Sequence, residues 1–477
     1  MLLKNNIPVV AELMAADAAR ERDFTCSGGG WTLDFSRIPL SREALSDLQR
    51  LPQERALDAA VARLFAGEIV NASENQPALH MALRAAAPFG GLAPEAARRV
   101  DDEREQFLQV AARLHGGKTG LTDILHVGIG GSDLGPRLVA DALDDDDSAV
   151  RVHWLSTLDG RRFERLCRRL DPATTGLVIA SKSFSTEETL LQARAARDWL
   201  GPDWARRSWA ATANVERARE FGVDEARILT FPGWTGGRFS LWSSVGVSAA
   251  AVIGPERFRA LLAGAESADN AFRSRPDADG LATLFGLLVH YLRRELDCNT
   301  LGIVSYEPRL ALLADYLQQL FMESLGKGVD SDGRPLEAPA VPLIFGGLGT
   351  DLQHSIFQAL HQGPDTHPLI LVGAREGDHG QPDWQRRQLA HLLAQASALA
   401  NGRSDGESFQ RMPGNRPVAT LLVERLDARH LGWLLATLEQ AVYAIAVFWR
   451  INPFDQWGVE EGKRLAGEIR RRLESGE

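Results

Sequence analysis

The chain has 477 residues, 44% of them hydrophobic and 24% charged, which is enough for two or three globular domains. Its net charge of −10 argues against a general nucleic-acid binder, because a phosphate backbone needs a basic face. A local basic pocket for a small anion stays open. Three scattered cysteines, Cys26, Cys167 and Cys298, form no CxxC or Cys/His spacing and suggest no metal site. They read as buried or incidental thiols in a reducing compartment.

The N-terminus, "MLLKNNIPVVAELMAADAAR", lacks the unbroken apolar core of a signal peptide. The longest nearly apolar run taken from the sequence, "LWSSVGVSAAAVIG", is short and carries three serines. The expectation is a cytoplasmic protein without a membrane segment. The first 95 or so residues are predicted helical, with apolar residues at three- and four-residue spacing in "SREALSDLQRL" and "ERALDAAVARLFAGEI". From about Thr122, short Val/Ile/Leu runs alternate with amphipathic stretches: "DILHVGIGG" with "GPRLVADAL", "RVHWLS" with "RRFERLCRRL", "TTGLVIAS" with "TEETLLQARAARDWL" and "SWAATA" with "VERAREFG". That alternation predicts a parallel sheet covered by helices on both faces. A second set begins near Thr300, with "TLGIVSY", "VPLIFGG" and "HPLILVG", so two α/β sandwiches are expected.

Two phosphate motifs fail. Gly117-Lys118-Thr119 ends like a P-loop, but Ala112 stands where the first glycine belongs. In "VGIGGSDLGP", Asp133 takes the place of the third dinucleotide-binding glycine. Gly128, Gly130 and Gly131 still permit close backbone approach, Ser132 or Asp133 can cap the next helix, and Pro136 suits its first turn. The stretch reads either as a ligand-binding strand end or as a tight turn without ligand. "SKSFSTEET" presents the same choice. Ser185 with Glu188 fits a capping box, leaving Ser181, Lys182, Ser183, Thr186 and Thr189 for a phosphate at a helix N-terminus or for a solvated loop.

Further along, "PRLALLADYLQQLFMESLGKG" is predicted as one helix from Pro308, with Gln319 and Glu323 opposite its apolar stripe. These two are an exposed polar face or, near the helix end, part of a site. In "FGGLGTDLQHSIFQALHQG", Thr350 and Gln353 fit a capping box, with His354 in the first helical turn and His361 on the same face. "TGGRFSLWSS" sets Arg238 after two glycines. Gln456 and Lys463 in "NPFDQWGVEEGKRLAGEI" fall near one face if the stretch is helical throughout.

Taken together and in order, "VGIGGSDLGP", "SKSFSTEET", "GGRFSLWSS", "QQLFMESLGKG", "GTDLQHSIFQALHQG", "GNRP" and "INPFDQWGVEEGK" closely resemble the motifs of the phosphoglucose isomerase family. "ENQPALHMALR" resembles that family's "RAVLHxALR" segment, so the likeness runs from about Asp34 to Ala466. It implies an α/β fold of two sugar-isomerase (SIS) three-layer α/β/α sandwiches with mostly parallel sheets. The corresponding divisions are a helical N-terminal region over 1–95 packed on the second domain, SIS domains over 96–255 and 256–450, and a C-terminal arm over 451–477. The resemblance implies interconversion of glucose 6-phosphate and fructose 6-phosphate without metal or organic cofactor, in a homodimer whose sites each borrow a histidine.

By the same resemblance, Gly131, Ser132, Ser181, Lys182, Ser183 and Thr186 hold the phosphate. Glu323 is the base moving a proton between C2 and C1, and Arg238 stands beside the enediol(ate). His354, from the partner, opens the sugar ring together with Lys463. Gly237, Gln319 and Gln456 touch the substrate. Departures flank these positions: Leu325 replaces a common Asn, Glu187 a common Gln, and Gly347, Leu348, Asp351 and Leu352 alter the stretch before His354. The competing expectations are a noncatalytic sugar-phosphate sensor on the same fold, or an isomerase that also takes mannose 6-phosphate.

Overall fold

The computed structural model describes residues 7–475. A hairpin of β1 (Thr25–Gly28) and β2 (Trp31–Asp34) interrupts the N-terminal region, which the sequence reading had as helical throughout. Next come β3 (Asp123–Val127), β4 (Arg151–Leu155), β5 (Thr175–Ala180), β6 (Ser208–Thr212) and β7 (Ile228–Thr230). They form one parallel sheet in the order β4-β3-β5-β6-β7. Every residue of β3, β5 and β6 is buried, as expected where helices cover both faces.

The second sheet contains β8 (Thr300–Ser305), β9 (Leu343–Leu348), β10 (Leu369–Glu376) and β11 (Val418–Arg425). Its order is β1-β2-β11-β10-β8-β9, with the N-terminal hairpin added antiparallel to β11. The sequence reading had not singled out β7 and β11.

Each parallel sheet reverses its winding direction once, between β3 and β5 in the first and between β8 and β10 in the second. Ligands of open α/β sheets lodge at such switch points, outside the carboxyl ends of the strands. In the second sheet the chain fills this region itself: Arg309 donates to Glu307 at 3.0 Å and to the Leu426 carbonyl at 3.3 Å, and pairs with Asp378. The first sheet's switch point stays open.

The helix Ala428–Trp449 runs through the core. By length and composition it could cross a membrane, a feature the sequence reading missed, but 94% of its most apolar window is buried inside the protein. It packs on the helix Pro255–Ser274. There the two backbones nearly touch: a Cβ on Gly264 would sit 1.9 Å from the Arg429 carbonyl, and one on Gly432 1.9 Å from that of Leu261. Glu439 of the core helix and Asp269 of its neighbour are both buried. They share Arg84, which forms a two-point bond of 2.7 Å each to Asp269 and a further bond to Glu439. Trp242 Nε1 donates to Glu439 at 2.8 Å, tying the turn that carries Gly237–Trp242 to the same cluster.

At the far end of the core helix, Trp449 Nε1 donates to His290 Nδ1 at 3.0 Å. Burial, with Arg294 and Arg55 nearby, pushes the His290 pKa down to about 4. The fold therefore holds this ring neutral while the unfolded chain protonates near the ordinary value of about 6.5. The stability it contributes is present above that pH and is lost as pH falls toward 4, on the order of 2–3 kcal/mol. Glu439, pushed up to about 7 by burial, acts in the opposite sense, favouring the fold as pH falls from 7 toward 4.5. The informative measurement is the difference between wild type and His290→Gln in urea midpoints from pH 7 to 4. Relative to the wild type, the variant should lose less stability as pH falls from 6.5 to 4, and parallel profiles would refute the assignment.

Candidate active site

The open switch point carries both glycine- and hydroxyl-rich corners. After β3 the chain turns through Gly130–Ser132, and after β5 through Ser181–Thr186 into the helix Glu187–Leu200. Between them lies a cleft of about 1010 Å³ whose walls include Gly131, Ser132, Ser181, Lys182, Ser183 and Thr186. Gly131 is required by contact: a Cβ there would lie 2.0 Å from the Gly237 carbonyl. Phe184 stands in the left-handed region at φ 48°, rare for a bulky residue. It is buried edge-on against Phe221, with ring centroids 5.7 Å apart, while Ser183 on the preceding residue stays exposed.

Three capping expectations fail. Thr186, not Ser185, is the N-cap of Glu187–Leu200, and no side chain caps that helix. Ser185 Oγ instead lies 2.7 Å from Ser183 Oγ. Leu134–Leu143 has Asp133 at its N-cap without a side-chain capping bond; one oxygen of that carboxylate pairs with Arg137 at 3.1 Å. Thr350 and Gln353 do not form a capping box: the helix spans only Gly349–Gln353 after Leu348, and Gln353 Nε2 donates to Tyr306 Oη at 2.8 Å.

The corner is rich in donors. Ser181 Oγ is 3.4 Å from Thr186 Oγ1, and the Thr189 hydroxyl is buried on the cleft wall with no hydrogen-bond partner among the described residues. Burial lowers the Lys182 pKa, and Glu74, which also lines the cleft, draws it back up. Glu74 escaped the sequence reading because a lone Glu in a loop carries no local signal.

The other end of the cleft holds Glu323. The predicted long helix is broken into a 3₁₀ turn Pro308–Leu310, an α-helix Leu313–Leu317 and a π-helical turn Gln318–Glu323. Such wide turns concentrate at functional sites. Gln319 Nε2 donates to Glu323 Oε2 at 3.1 Å, and Arg238 Nη1 reaches the same oxygen at 3.3 Å. Arg238 is buried and otherwise saturated. It donates to Ser324 Oγ at 2.7 Å, Gln456 Oε1 at 2.6 Å and the Asp455 carbonyl at 3.2 Å, and also to the Pro453 carbonyl. Burial draws its pKa down while Glu323 holds it up, and an arginine keeps its charge throughout. The result is a fixed cation beside a carboxylate, a pair able to exchange a proton and to stabilise an adjacent oxyanion.

Gly237, Gln319, Gln456 and Lys463 also line the cleft. Gln456 and Lys463 do not share a helix face, since Gln456 precedes the short turn Trp457–Val459 and Lys463 lies on the helix Glu460–Ser475. Lys463 pairs with Glu460 at 2.7 Å. Lys327 and Asp455, which the sequence reading passed over, brace the floor: Lys327 Nζ donates to Asp455 Oδ1 at 2.7 Å and to the Glu323 carbonyl at 3.2 Å. His354 is exposed at the C-terminus of its short helix and does not border the cleft. His361 lies on a separate helix, Phe357–Gln362, bonded to Gln395 at 2.8 Å, so the two histidines share no helical face.

The departures sort by position. Leu325 is fully buried in the main core and so faces away from the cleft. Leu352 packs against the smaller core behind β10. Glu187 pairs with Arg470 of the C-terminal helix, joining that helix to the corner beside the cleft.

A switch-point crevice with an anion-ready corner, facing a carboxylate clamped by arginine, defines a class: α/β proteins suited to hold a small phosphorylated ligand against an acid–base group. Residues 34–477 match the family model described as phosphoglucose isomerase. The chain is 43% identical over 462 residues to glucose-6-phosphate isomerase of Stenotrophomonas maltophilia (strain R551-3), covering 96% of this chain and 91% of the relative. It is 42% identical over 462 residues to that of Xanthomonas axonopodis pv. citri (strain 306), at the same coverage. Its fold resembles the crystal structure of a glucose-6-phosphate isomerase from Chlamydia trachomatis D/UW-3/Cx, with TM-score 0.89, 29% identity and coverage of 98% and 94% of the two chains. A hypothetical protein from Thermus thermophilus follows at TM-score 0.72 and 28% identity, covering 92% and 99%. The chain belongs to the phosphoglucose isomerase family.

Proposed function

We infer that this protein interconverts glucose 6-phosphate and fructose 6-phosphate, with Glu323 as the base. The observation that carries the reading is the Glu323–Arg238 pair facing a corner of hydroxyls, backbone N–H groups and Lys182 across one cleft. In the open-chain aldose, the Glu323 carboxylate takes the proton from C2 and the electron pair moves into a C1–C2 double bond. Negative charge gathers on oxygen, where the preorganised Arg238 stabilises it more than the neutral substrate. The protonated Glu323 then returns the proton to C1, and the hydroxyl proton lost from O2 is balanced by the one gained at O1. The phosphate end supplies binding energy that aligns C1 and C2 with the carboxylate.

Ring opening needs its own acid–base pair, which is Lys463 and the partner subunit's His354. A homodimer is supported by His354 being exposed and away from its own cleft. It is also supported by a second cavity of about 860 Å³ on the other side of Glu323, bordered by the exposed Ile69, Val329 and Trp457. Mixing inactive Glu323→Gln and His354→Ala chains should restore about a quarter of wild-type activity, because half of randomly mixed dimers carry one intact site. Verified mixing without recovery would rule out the shared site. A coupled assay of fructose 6-phosphate turnover tests the activity itself, and phosphosugar binding without turnover would refute it.

A further inference from the structure

Behind the glycine turn lies a buried imidazole that the mechanism above does not use. His126, on β3, is fully buried, and both ring nitrogens are engaged. Nε2 lies 2.8 Å from the Ser132 carbonyl, and Nδ1 lies 2.8 Å from Ser248 Oγ. A carbonyl only accepts, so Nε2 carries the hydrogen and Nδ1 accepts from the Ser248 hydroxyl. The Trp154 ring, 4.5 Å away between centroids, holds the imidazole from the β4 side. The strand end curls back tightly over the ring: a Cβ on Gly128 would lie 2.8 Å from the Ser132 carbonyl and 3.2 Å from His126 Nε2. On its other side the same turn rests on Gly237 through Gly131. Burial holds the His126 pKa down at about 4, so a single neutral tautomer persists through ordinary working pH.

We propose that His126 is a positioning residue for phosphate recognition: through its Nε2–H bond to the Ser132 carbonyl it sets the turn that aims Ser132 and the Gly131 N–H at the substrate's phosphate. This rests on reading the two corners as the phosphate site. The bond matters because it is the only side-chain hydrogen bond to the Ser132 carbonyl among the described residues, and losing it removes the anchor of a part-buried acceptor. Gln at this position can still donate to the carbonyl, whereas Leu cannot.

The test is steady-state kinetics with fructose 6-phosphate, together with competitive inhibition by inorganic phosphate. His126→Leu should raise both KM and the phosphate inhibition constant about tenfold, as expected for one buried hydrogen bond, while kcat stays within about threefold because Glu323 and Arg238 are untouched. His126→Gln should recover most of the loss. Unchanged KM and phosphate inhibition in His126→Leu, with only its thermal stability lowered, would overturn the proposal. If His126→Leu does not fold, nitrogen NMR of the wild-type ring decides. An Nε2-protonated tautomer whose signal shifts on adding inorganic phosphate supports the proposal, and the other tautomer or an unmoved signal refutes it. Ser132→Ala and Lys182→Ala serve as controls. If they leave phosphate inhibition intact, the phosphate corner itself is misread; if they weaken it while His126→Leu does not, only the role of His126 fails.

Discussion

Glu323→Gln is expected to lower kcat for fructose 6-phosphate by about 10²–10⁴-fold, the usual contribution of a positioned general base. KM and inhibition by inorganic phosphate should stay near wild type. The expected split follows from geometry. Gln319 Nε2 and Arg238 Nη1 both donate to one Glu323 oxygen, and an amide oxygen placed there can accept both bonds, so the wall of the cleft stands. What the amide cannot do is take a proton from carbon. Arg238 should stay in place through Ser324, Gln456 and the carbonyls of Pro453 and Asp455. Unchanged turnover would remove Glu323 as the base. Loss of phosphate binding along with activity would mean that the substitution disturbs the fold of the cleft rather than the proton transfer.

Arg84→Ala should be among the most destabilising substitutions in the chain, at about 3–5 kcal/mol, because breaking a buried ion pair strands its partners. Two carboxylates depend on this one guanidinium. Asp269 receives two bonds of 2.7 Å from it. Glu439 is buried, and its other donors are Trp242 Nε1 at 2.8 Å and the more distant Tyr316 Oη at 3.5 Å. The guanidinium also lies 4.6 Å from the centroid of the Trp242 ring, so the truncation removes packing as well as charge. Replacing all three partners together, as Arg84→Met with Asp269→Asn and Glu439→Gln, should recover much of the loss, since no uncompensated charge remains. Urea denaturation of the full chain measures both. A cost below about 1 kcal/mol for Arg84→Ala would show that the cluster contributes little, as surface pairs do.

What local sequence could and could not supply is clearest at particular elements. The β-α alternation from Thr122 onward predicted a parallel sheet, and β3, β5 and β6 form one with every residue buried. The hairpin of β1 and β2 escaped notice. Its strands have four residues each, too few for alternation to stand out against helical neighbours, although the glycines of "SGGGW" were a turn signal. The stretch from Pro308 that carries Glu323 reads as one regular helix in the sequence, and no propensity announces a π-turn. The capping boxes at Ser185 and Thr350 matched a pattern but lost to other partners: the neighbouring Ser183 took the first hydroxyl, and Tyr306, 47 residues away, took Gln353.

The sequence alone settled the α/β class, the two parallel-sheet sets and the family, because periodicity, turn residues and ordered motifs are local properties read along one dimension. Tertiary structure decided which switch point stays open, since Arg309 fills one and the other opens into the cleft. It also brought Glu323 and Gln456, 85 and 218 residues away along the chain, onto the Arg238 guanidinium. It hid His126 behind the glycine turn and placed Arg84 between two carboxylates. These are long-range juxtapositions that depend on how layers pack. A histidine in a strand or an arginine after a turn reads the same along the chain whatever it will meet.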